Sequence, residues 1–299
     1  NYKSLNAKQT EMYKYAKLPY KQLLEYTNSK LKKKEDKIKY LQDQNWTEQQ
    51  KWGIFKYDIL NNTERDDGGS QLKDAEYIIS TGTSKTEFMK SYDKAQKNNI
   101  DIPTEKEYKK MNESGLKFKT YIDYKVTEKN ETQKRKKQGR LKENQSLKAK
   151  DKIQILLDST YSNKEIGAIY ENYIKTEKDT EYDIIVNNAK VDIKTYLKFK
   201  QQEFESDKKD DGTLNGKTVS KSKQKKLIEY LNKIHANKEI TGNQSLLLYA
   251  IHGYATTSSQ KKQLVNYVQS LSLKRNEKLK LFDKFSGFTV YKDGRVKYK

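Results

Sequence analysis

Residues 116–124 have the sequence Leu116-Lys-Phe-Lys-Thr-Tyr-Ile-Asp-Tyr124, and residues 191–199 repeat its pattern as Val191-Asp-Ile-Lys-Thr-Tyr-Leu-Lys-Phe199. In both stretches an apolar residue, an aromatic residue or Ile, an apolar pair and a final aromatic residue fall on one face of a helix. Two further copies are Leu18–Tyr26 and, more loosely, Thr83–Tyr92. Repetition of this kind predicts short helices that share buried faces with their neighbours.

A second element precedes three of these copies and opens with the dipeptide Glu-Tyr. The dipeptides are Glu76-Tyr77, Glu107-Tyr108 and Glu181-Tyr182. The unit is therefore predicted to be a helix, a short turn and a second helix.

A different unit recurs towards the C-terminal end of the sequence. Lys226–Leu231 matches Gln263–Val268, and the pair Leu247-Leu248 matches Leu281-Phe282. The spacing lies in the range typical of helical hairpins that stack on one another.

Helix starts are marked by a hydroxyl residue followed three positions later by Glu or Gln, a pattern that predicts a capping box. Four such pairs are Thr47 with Gln50, Ser84 with Glu87, Thr104 with Glu107, and Ser162 with Glu165. The chain has two Pro and 13 Gly, which leave few forced breaks, and its 23 Tyr can add bulk to a thin core. We therefore predict an all-α fold of stacked helical-hairpin repeats in two blocks, with a short C-terminal β-hairpin.

Composition predicts where the blocks divide. Residues 1–126 form an N-terminal repeat block, residues 127–150 a charged linker or exposed helix, and residues 151–299 a C-terminal repeat block. The middle segment contains nine Lys or Arg against three Glu. Residues 205–226 are rich in Asp, Gly, Ser and Lys and are predicted to be a second linker or an exposed extension. Residues 288–298 alternate in apolarity around Asp293-Gly294, which predicts the β-hairpin.

The formal net charge of +21 favours an anionic partner such as nucleic acid. Only five of the 62 basic residues are Arg, however, and Arg is the usual residue for binding phosphates and bases. An AT-rich genome encodes Lys by default, and acids are interspersed along the same helices. Two interpretations of the positive charge therefore remain: it binds an anionic partner, or it lies on solvated helix faces and reflects the composition of the genome.

Several classes of protein are disfavoured by the sequence. The chain contains no cysteine, which excludes disulfides, thiolate metal sites and cysteine nucleophiles. Its longest apolar run, Leu246–Ile251, is far shorter than the roughly 18 residues that a membrane span needs, so we expect no integral membrane insertion. Because the first residue is Asn1 and not Met, we expect the chain to be part of a larger polypeptide.

The strongest candidate for catalysis is the set Asp183, Asp192 and Lys194. Many nucleases hold Mg²⁺ with two carboxylates spaced in this way, beside a Lys, and Glu171 could add a further ligand. The corresponding residues of the earlier copy are Lys109, Lys117 and Lys119. Because the acids vary while the apolar positions persist, surface acids on packed helices are the favoured interpretation. We predict no catalytic residue, no metal and no cofactor. The alternatives are a basic DNA-binding or DNA-processing protein and, less favoured, a Mg²⁺-dependent nuclease.

Two other segments have features of a binding site. Asp207–Thr218 has Asp and Gly at positions of a calcium loop, but Lys209 and Thr218 replace two required ligands, so an exposed turn is favoured. A basic run is the candidate nucleic-acid contact, but it lacks interleaved aromatic residues for stacking, which favours a solvated, partly helical linker. Its residues are Lys134, Arg135, Lys136, Lys137 and Arg140.

Three motifs of the back half are shared with a known class of protein. They are the loop Asp211–Ser220 that leads to Asn232, the Gly253-Tyr254 step, and the ending Gly287–Val296. With them, residues 207–299 resemble a C-terminal repeat region of very large multidomain bacteriophage proteins. The resemblance implies a non-enzymatic virion component, either a structural protein or an internal protein that is ejected. It would be assembled in the host cytoplasm, with portal, tail or capsid proteins and packaged DNA as its expected partners. The shared motifs are structural, so the resemblance implies a context and not an activity.

Overall fold

The repeated pattern begins a helix at the same position in every copy. The computed structural model describes residues 5–61, 69–176, 180–206, 221–251, 257–282 and 288–298. Helices begin at Tyr20, Phe118 and Ile193, and the looser copy begins one at Lys85. Each of these residues is the third of its copy, so the periodicity of the sequence sets the register of the helices.

The chain divides into two compact units between Ser146 and Leu147, inside the segment 127–150. The described part of the first unit contains α1 Ala7–Ala16, α2 Tyr20–Asn28, α3 Lys34–Asp43, α4 Glu48–Ile54, α5 Gln71–Ser80, α6 Lys85–Lys97, α7 Glu105–Glu113 and α8 Phe118–Lys137. A π-helical segment, Phe55–Leu60, continues α4. The hairpin α5–α6 packs on the hairpin α7–α8, with α5 against α7 and α6 against α8. This pairing is how stacked hairpins bury a face that neither could bury alone.

The described part of the second unit is helical up to a final pair of strands. Its helices are α9 Ala149–Leu157, α10 Asn163–Tyr173, α11 Thr180–Tyr182, α12 Ile193–Ser206, α13 Lys221–Ala236, α14 Gly242–Ile251, α15 Ser258–Ser270 and α16 Arg275–Phe282, and its strands are β1 Phe288–Val290 and β2 Val296–Tyr298. A π-helical segment, Asp183–Asn188, continues α11. Helix α12 contacts α9, α10 and α13, and α14 contacts α13, α15 and α16. The predicted all-α fold is confirmed.

A residue with positive φ lies immediately before each copy of the pattern. Lys17 and Lys190 have φ values of 53° and 59°, and Gly82 and Gly115 have φ values of 107° and 90°. The backbone therefore turns a left-handed corner between the two helices of each hairpin. The apolar residue that opens each of the three close copies follows this corner and is buried.

Aromatic side chains fill the space between the helices. Tyr92, Tyr108 and Tyr124 of the first unit are almost fully buried, as is Tyr196 of the second. The ring of Phe118, which opens α8, packs against rings of α6 and α7. Its centroid lies 5.0 Å from that of Phe88 and 6.1 Å from that of Tyr108. The contribution of tyrosine to the core, expected from composition, is confirmed.

The unit matched near the C-terminal end also keeps its buried positions. Leu227 and Leu231 of α13 are buried, as are the matching Leu264 and Val268 of α15. The apolar pairs of α14 and α16 are buried as well. The Gly253-Tyr254 step lies outside the described residues.

Three of the four predicted capping boxes are formed with both reciprocal hydrogen bonds, at Thr47, Thr104 and Ser162. At Ser84 the hydroxyl accepts the N–H of Glu87 at 3.1 Å, and only this half of the box is present in the described structure. A serine or threonine hydroxyl before the first turn is therefore a sound marker of helix starts in this chain.

The predicted β-hairpin is confirmed. Strands β1 and β2 pair antiparallel, with Phe288 opposite Tyr298 and Val290 opposite Val296. Gly294 supplies the left-handed residue of the turn, with a φ of 82°. The hairpin packs on α15 and α16, as an isolated two-stranded ribbon requires.

Both ends of the predicted linker or exposed extension, residues 205–226, are helical and so are not linker. Helix α12 continues to Ser206, and α13 already begins at Lys221. Lys and Gln are good helix formers, so a polar composition does not by itself end a helix. The intervening residues 207–220, which include the calcium-like segment Asp207–Thr218, lie outside the described residues. Within residues 127–150, α8 extends to Lys137. Among the described helices, none combines the length and the apolar character needed to cross a membrane.

Candidate functional site

Asp192 caps the first turn of α12. Its Oδ1 accepts the backbone N–H of Lys194 at 3.0 Å and that of Thr195 at 3.2 Å. Its Oδ2 accepts a hydrogen bond from the side-chain amide of Asn163. Asp is a preferred residue at this position because its carboxylate satisfies the free amides of the first turn. Asp192, a candidate metal ligand from the sequence, therefore has a structural role. Lys194 contacts it through its backbone N–H.

Asp183 opens the π-helical segment of the second unit and has different partners. Its Oδ2 accepts Nζ of Lys175 at 2.7 Å, and its Oδ1 accepts Nδ2 of Asn187 at 3.1 Å. The Lys175 ammonium also lies 5.1 Å from the ring centroid of Tyr182. Glu171, the suggested third ligand, is exposed on α10. Within the described ranges, no three His, Asp or Glu side chains are grouped so that they could hold a metal ion.

The basic run at the end of α8 is partly neutralised by acids of the same segment. Nε of Arg135 lies 2.8 Å from Oε1 of Glu131, and Nζ of Lys134 lies 3.8 Å from Oε2 of the same residue. The hydrogen bond from Arg135 holds the pKa of Glu131 below its ordinary value. Nζ of Lys136 lies 3.7 Å from Oε2 of Glu143. Lys137 and Arg140 are exposed and have no ion pair with the described residues, so the run keeps a net positive charge.

An exposed aromatic pair lies on the first unit. Tyr15 of α1 is 44% exposed and stacks on Tyr57, with ring centroids 5.9 Å apart. The pair lines a groove of about 320 Å³ together with Glu11 and with Lys56 and Glu76, which form an ion pair. Exposed tyrosine beside the carboxylate of Glu11 fits an amphipathic side chain of a protein partner. The sequence pattern did not mark this surface, because Tyr15 lies outside the repeated positions.

A buried carboxylate, Asp58, joins three helices of the first unit. Its side chain is 3% exposed, its Oδ1 lies 2.9 Å from Nζ of Lys8, and its Oδ2 lies 2.8 Å from Nζ of Lys37. The hydroxyl of Tyr26 donates to Oδ2 at 2.8 Å. Burial alone would raise the pKa of Asp58, but hydrogen bonds from the two lysines and the tyrosine outweigh it and lower that pKa. Burial, followed by the charge of Asp58, raises the pKa of Tyr26, which therefore stays a donor.

The sequence alone does not identify Asp58, because its partners come from α1, α2 and α3 and no local spacing links them. The cluster ties helices together, and the donors around Asp58 satisfy a charge that would otherwise be costly to bury. No family model, curated protein or solved structure matches the chain.

Proposed function

We propose that the chain is a non-enzymatic component of a bacteriophage particle and acts by assembling with other virion proteins, such as portal, tail or capsid components. The observation that carries the proposal is the stacking of helical hairpins on shared buried faces. Arrays of this kind present extended surfaces that suit binding. The resemblance of residues 207–299 to repeat regions of very large phage proteins supplies the context.

The residues that most resemble a catalytic set are consistent with this proposal. Asp192 caps a helix and Asp183 pairs with Lys175, so each acid has a structural reason to be present. The Tyr15 groove offers an anchor point for a partner, because exposed tyrosines are enriched at protein interfaces.

Mass spectrometry of purified particles tests the proposal. We expect peptides from both units to copurify with the particle through a density gradient, at an abundance comparable to that of other minor structural proteins. A phage replication enzyme from the same lysate serves as the control and should be depleted. A chain that is abundant in the lysate but depleted from the particles to the same extent as that enzyme would contradict the proposal.

Two variants of Asp192 test the nuclease alternative. Asp192→Ala removes the cap of α12 and should lower the free energy of unfolding by about 1 kcal/mol, while Asp192→Asn keeps an accepting oxygen and should change it little. Urea unfolding followed by circular dichroism measures both. In a plasmid-nicking assay with Mg²⁺, we expect no cleavage that depends on Asp192. Cleavage by the wild-type chain that disappears in both variants would establish the nuclease.

A further inference from the structure

Positive charge is concentrated at the C-terminal end of the sequence as well as in the middle segment 127–150. Residues 257–299 contain eleven Lys or Arg against three Asp or Glu, while the whole chain has 62 against 41. Two of the five Arg residues, Arg275 and Arg295, belong to this segment. The excess charge of the chain is therefore not spread evenly over its helices.

Backbone carbonyls of the hairpin turn hold two of these cations. Nε of Arg275 donates to the carbonyl oxygen of Tyr291 at 3.1 Å, and Nζ of Lys278 donates to that of Gly294 at 3.0 Å. A carbonyl orients a cation without cancelling its charge. Each side chain also keeps further N–H donors for a ligand, since a guanidinium has five and an ammonium has three.

A third cation and an exposed ring complete the group. The guanidinium carbon of Arg295 lies 5.5 Å from the ring centroid of Tyr291, and Tyr291 is 40% exposed. Asp293 pairs with Arg295, with Oδ2 of the aspartate 2.6 Å from Nε of the arginine. Among the described residues, no other acid forms an ion pair with these three cations. Three cations against one acid leave a net positive charge beside an accessible aromatic face. We call Arg275, Lys278, Tyr291 and Arg295 the hairpin cluster.

We propose that the hairpin cluster binds single-stranded nucleic acid. Arg275, Lys278 and Arg295 contact backbone phosphates, and Tyr291 stacks on an unpaired base. A duplex keeps its bases stacked on one another and offers no free base to Tyr291, so the cluster favours a single strand. The basic run of α8 lacks such a ring, and its Arg135 is paired with Glu131. This binding requires no metal and does not depend on assembly into a particle.

Fluorescence anisotropy of the full chain with labelled oligo(dT), over a series of NaCl concentrations, tests the proposal. The double variant Arg275→Gln/Arg295→Gln should weaken binding at least about tenfold and reduce the slope of log K against log[salt] by about 1.4. Tyr291→Leu should weaken binding roughly 5- to 100-fold and leave the slope unchanged, because it removes stacking and no charge.

The matched control is Lys134→Gln/Lys137→Gln, which removes the same charge from α8 and should leave the affinity within about twofold. A duplex of the same length should bind more weakly than oligo(dT) and should be insensitive to Tyr291→Leu. Arg275→Lys keeps the charge and can keep the carbonyl contact, so its salt slope should stay at the wild-type value.

Any of three results would overturn the proposal. The first is equal loss of affinity in the α8 control and in the double Arg variant. The second is a Tyr291→Leu variant that binds oligo(dT) as well as the wild-type chain does. The third is a salt slope that falls in Arg275→Lys as far as in the double variant, because that would trace the loss to a disturbed hairpin and not to phosphate contacts.

Discussion

At the residue scale, the four left-handed corners differ in how well their residue suits the backbone. Gly82 and Gly115 adopt φ values of 107° and 90°, which glycine reaches without strain. Lys17 and Lys190 occupy the same corner at 53° and 59°, where a side chain strains the backbone. The two kinds of corner allow the strain to be measured within one chain.

Lys190→Gly should raise the free energy of unfolding by about 0.5–1 kcal/mol. Relief of roughly 1–2 kcal/mol of left-handed strain exceeds the roughly 0.4–1 kcal/mol lost to the greater freedom of glycine in the unfolded chain. Urea unfolding followed by circular dichroism measures the difference. Lys190→Ala is the control, because it removes the exposed side chain but keeps Cβ, and it should give no gain. An equal gain from both variants would show that the side chain, and not the backbone, is responsible.

The opposite change at Gly82 provides an independent check on the same argument. No atom lies within 4 Å of the position that a Cβ would occupy there. Gly82→Ala should therefore lower the free energy of unfolding by about 1–3 kcal/mol. Backbone strain alone causes this loss, because no steric clash contributes.

At the element scale, helix starts could be predicted from the sequence and helix ends could not. The starts at Phe118 and Ile193 follow from apolar periodicity, and those just after Thr47 and Thr104 follow from capping chemistry. The solvated end of α8 carries no apolar residue to mark it, and its Lys and Glu residues are good helix formers.

The candidate site shows a similar limit. An exposed carboxylate just before a helix serves equally well as a cap and as a ligand, so the sequence around Asp192 could not separate the two roles. Arg275 and Tyr291 come together only when the hairpin packs on α16, and no spacing in the sequence predicts that contact.

The Asp58 cluster yields a prediction about pH. Asp58→Asn should lower the free energy of unfolding by about 3 kcal/mol at pH 7, because it leaves the poorly exposed Lys37 without its counter-charge. The pKa of Asp58 is lowered in the folded chain, so its stabilisation is present above the ordinary value of about 4 and is lost as pH falls below it. Urea unfolding at about pH 7 and about pH 3 should therefore show the difference between wild type and variant shrinking in acid.

Asp123→Asn is the matched control, because Asp123 also contacts two lysines, at 2.6 Å each, but is 20% exposed against 3% for Asp58. Its loss at pH 7 should be about 1 kcal/mol or less, since partly solvated ion pairs contribute little. A loss as large as that of Asp58→Asn, or a difference for Asp58→Asn that persists in acid, would contradict the role given to burial.

At the scale of the whole molecule, the net charge of +21 opposes folding through repulsion among the cations. Partly or fully exposed ion pairs, such as Lys125 with Glu128 and Lys225 with Glu229, offset only a small part of it. The stability of the folded state should therefore depend more strongly on ionic strength than the stability of a neutral protein of the same size.

The urea midpoint of the chain should rise when NaCl is raised from about 20 to about 300 mM, because screening weakens the net repulsion. A variant with Lys137, Lys142 and Lys148 replaced by Gln should start from a higher midpoint at low salt and rise less. A midpoint that falls with salt in the wild-type chain would mean that favourable ion pairs outweigh the excess charge.

The left-handed corner also affects how relatives of this chain can be recognised. Two of its four occurrences carry lysine in place of glycine. Lineages whose codon usage drifts towards adenine and thymine can lose the glycine while the corner itself persists. A search profile keyed to that glycine would overlook such members, whereas one keyed to the buried residue after the corner and to the aromatic spacing beyond it would retain them.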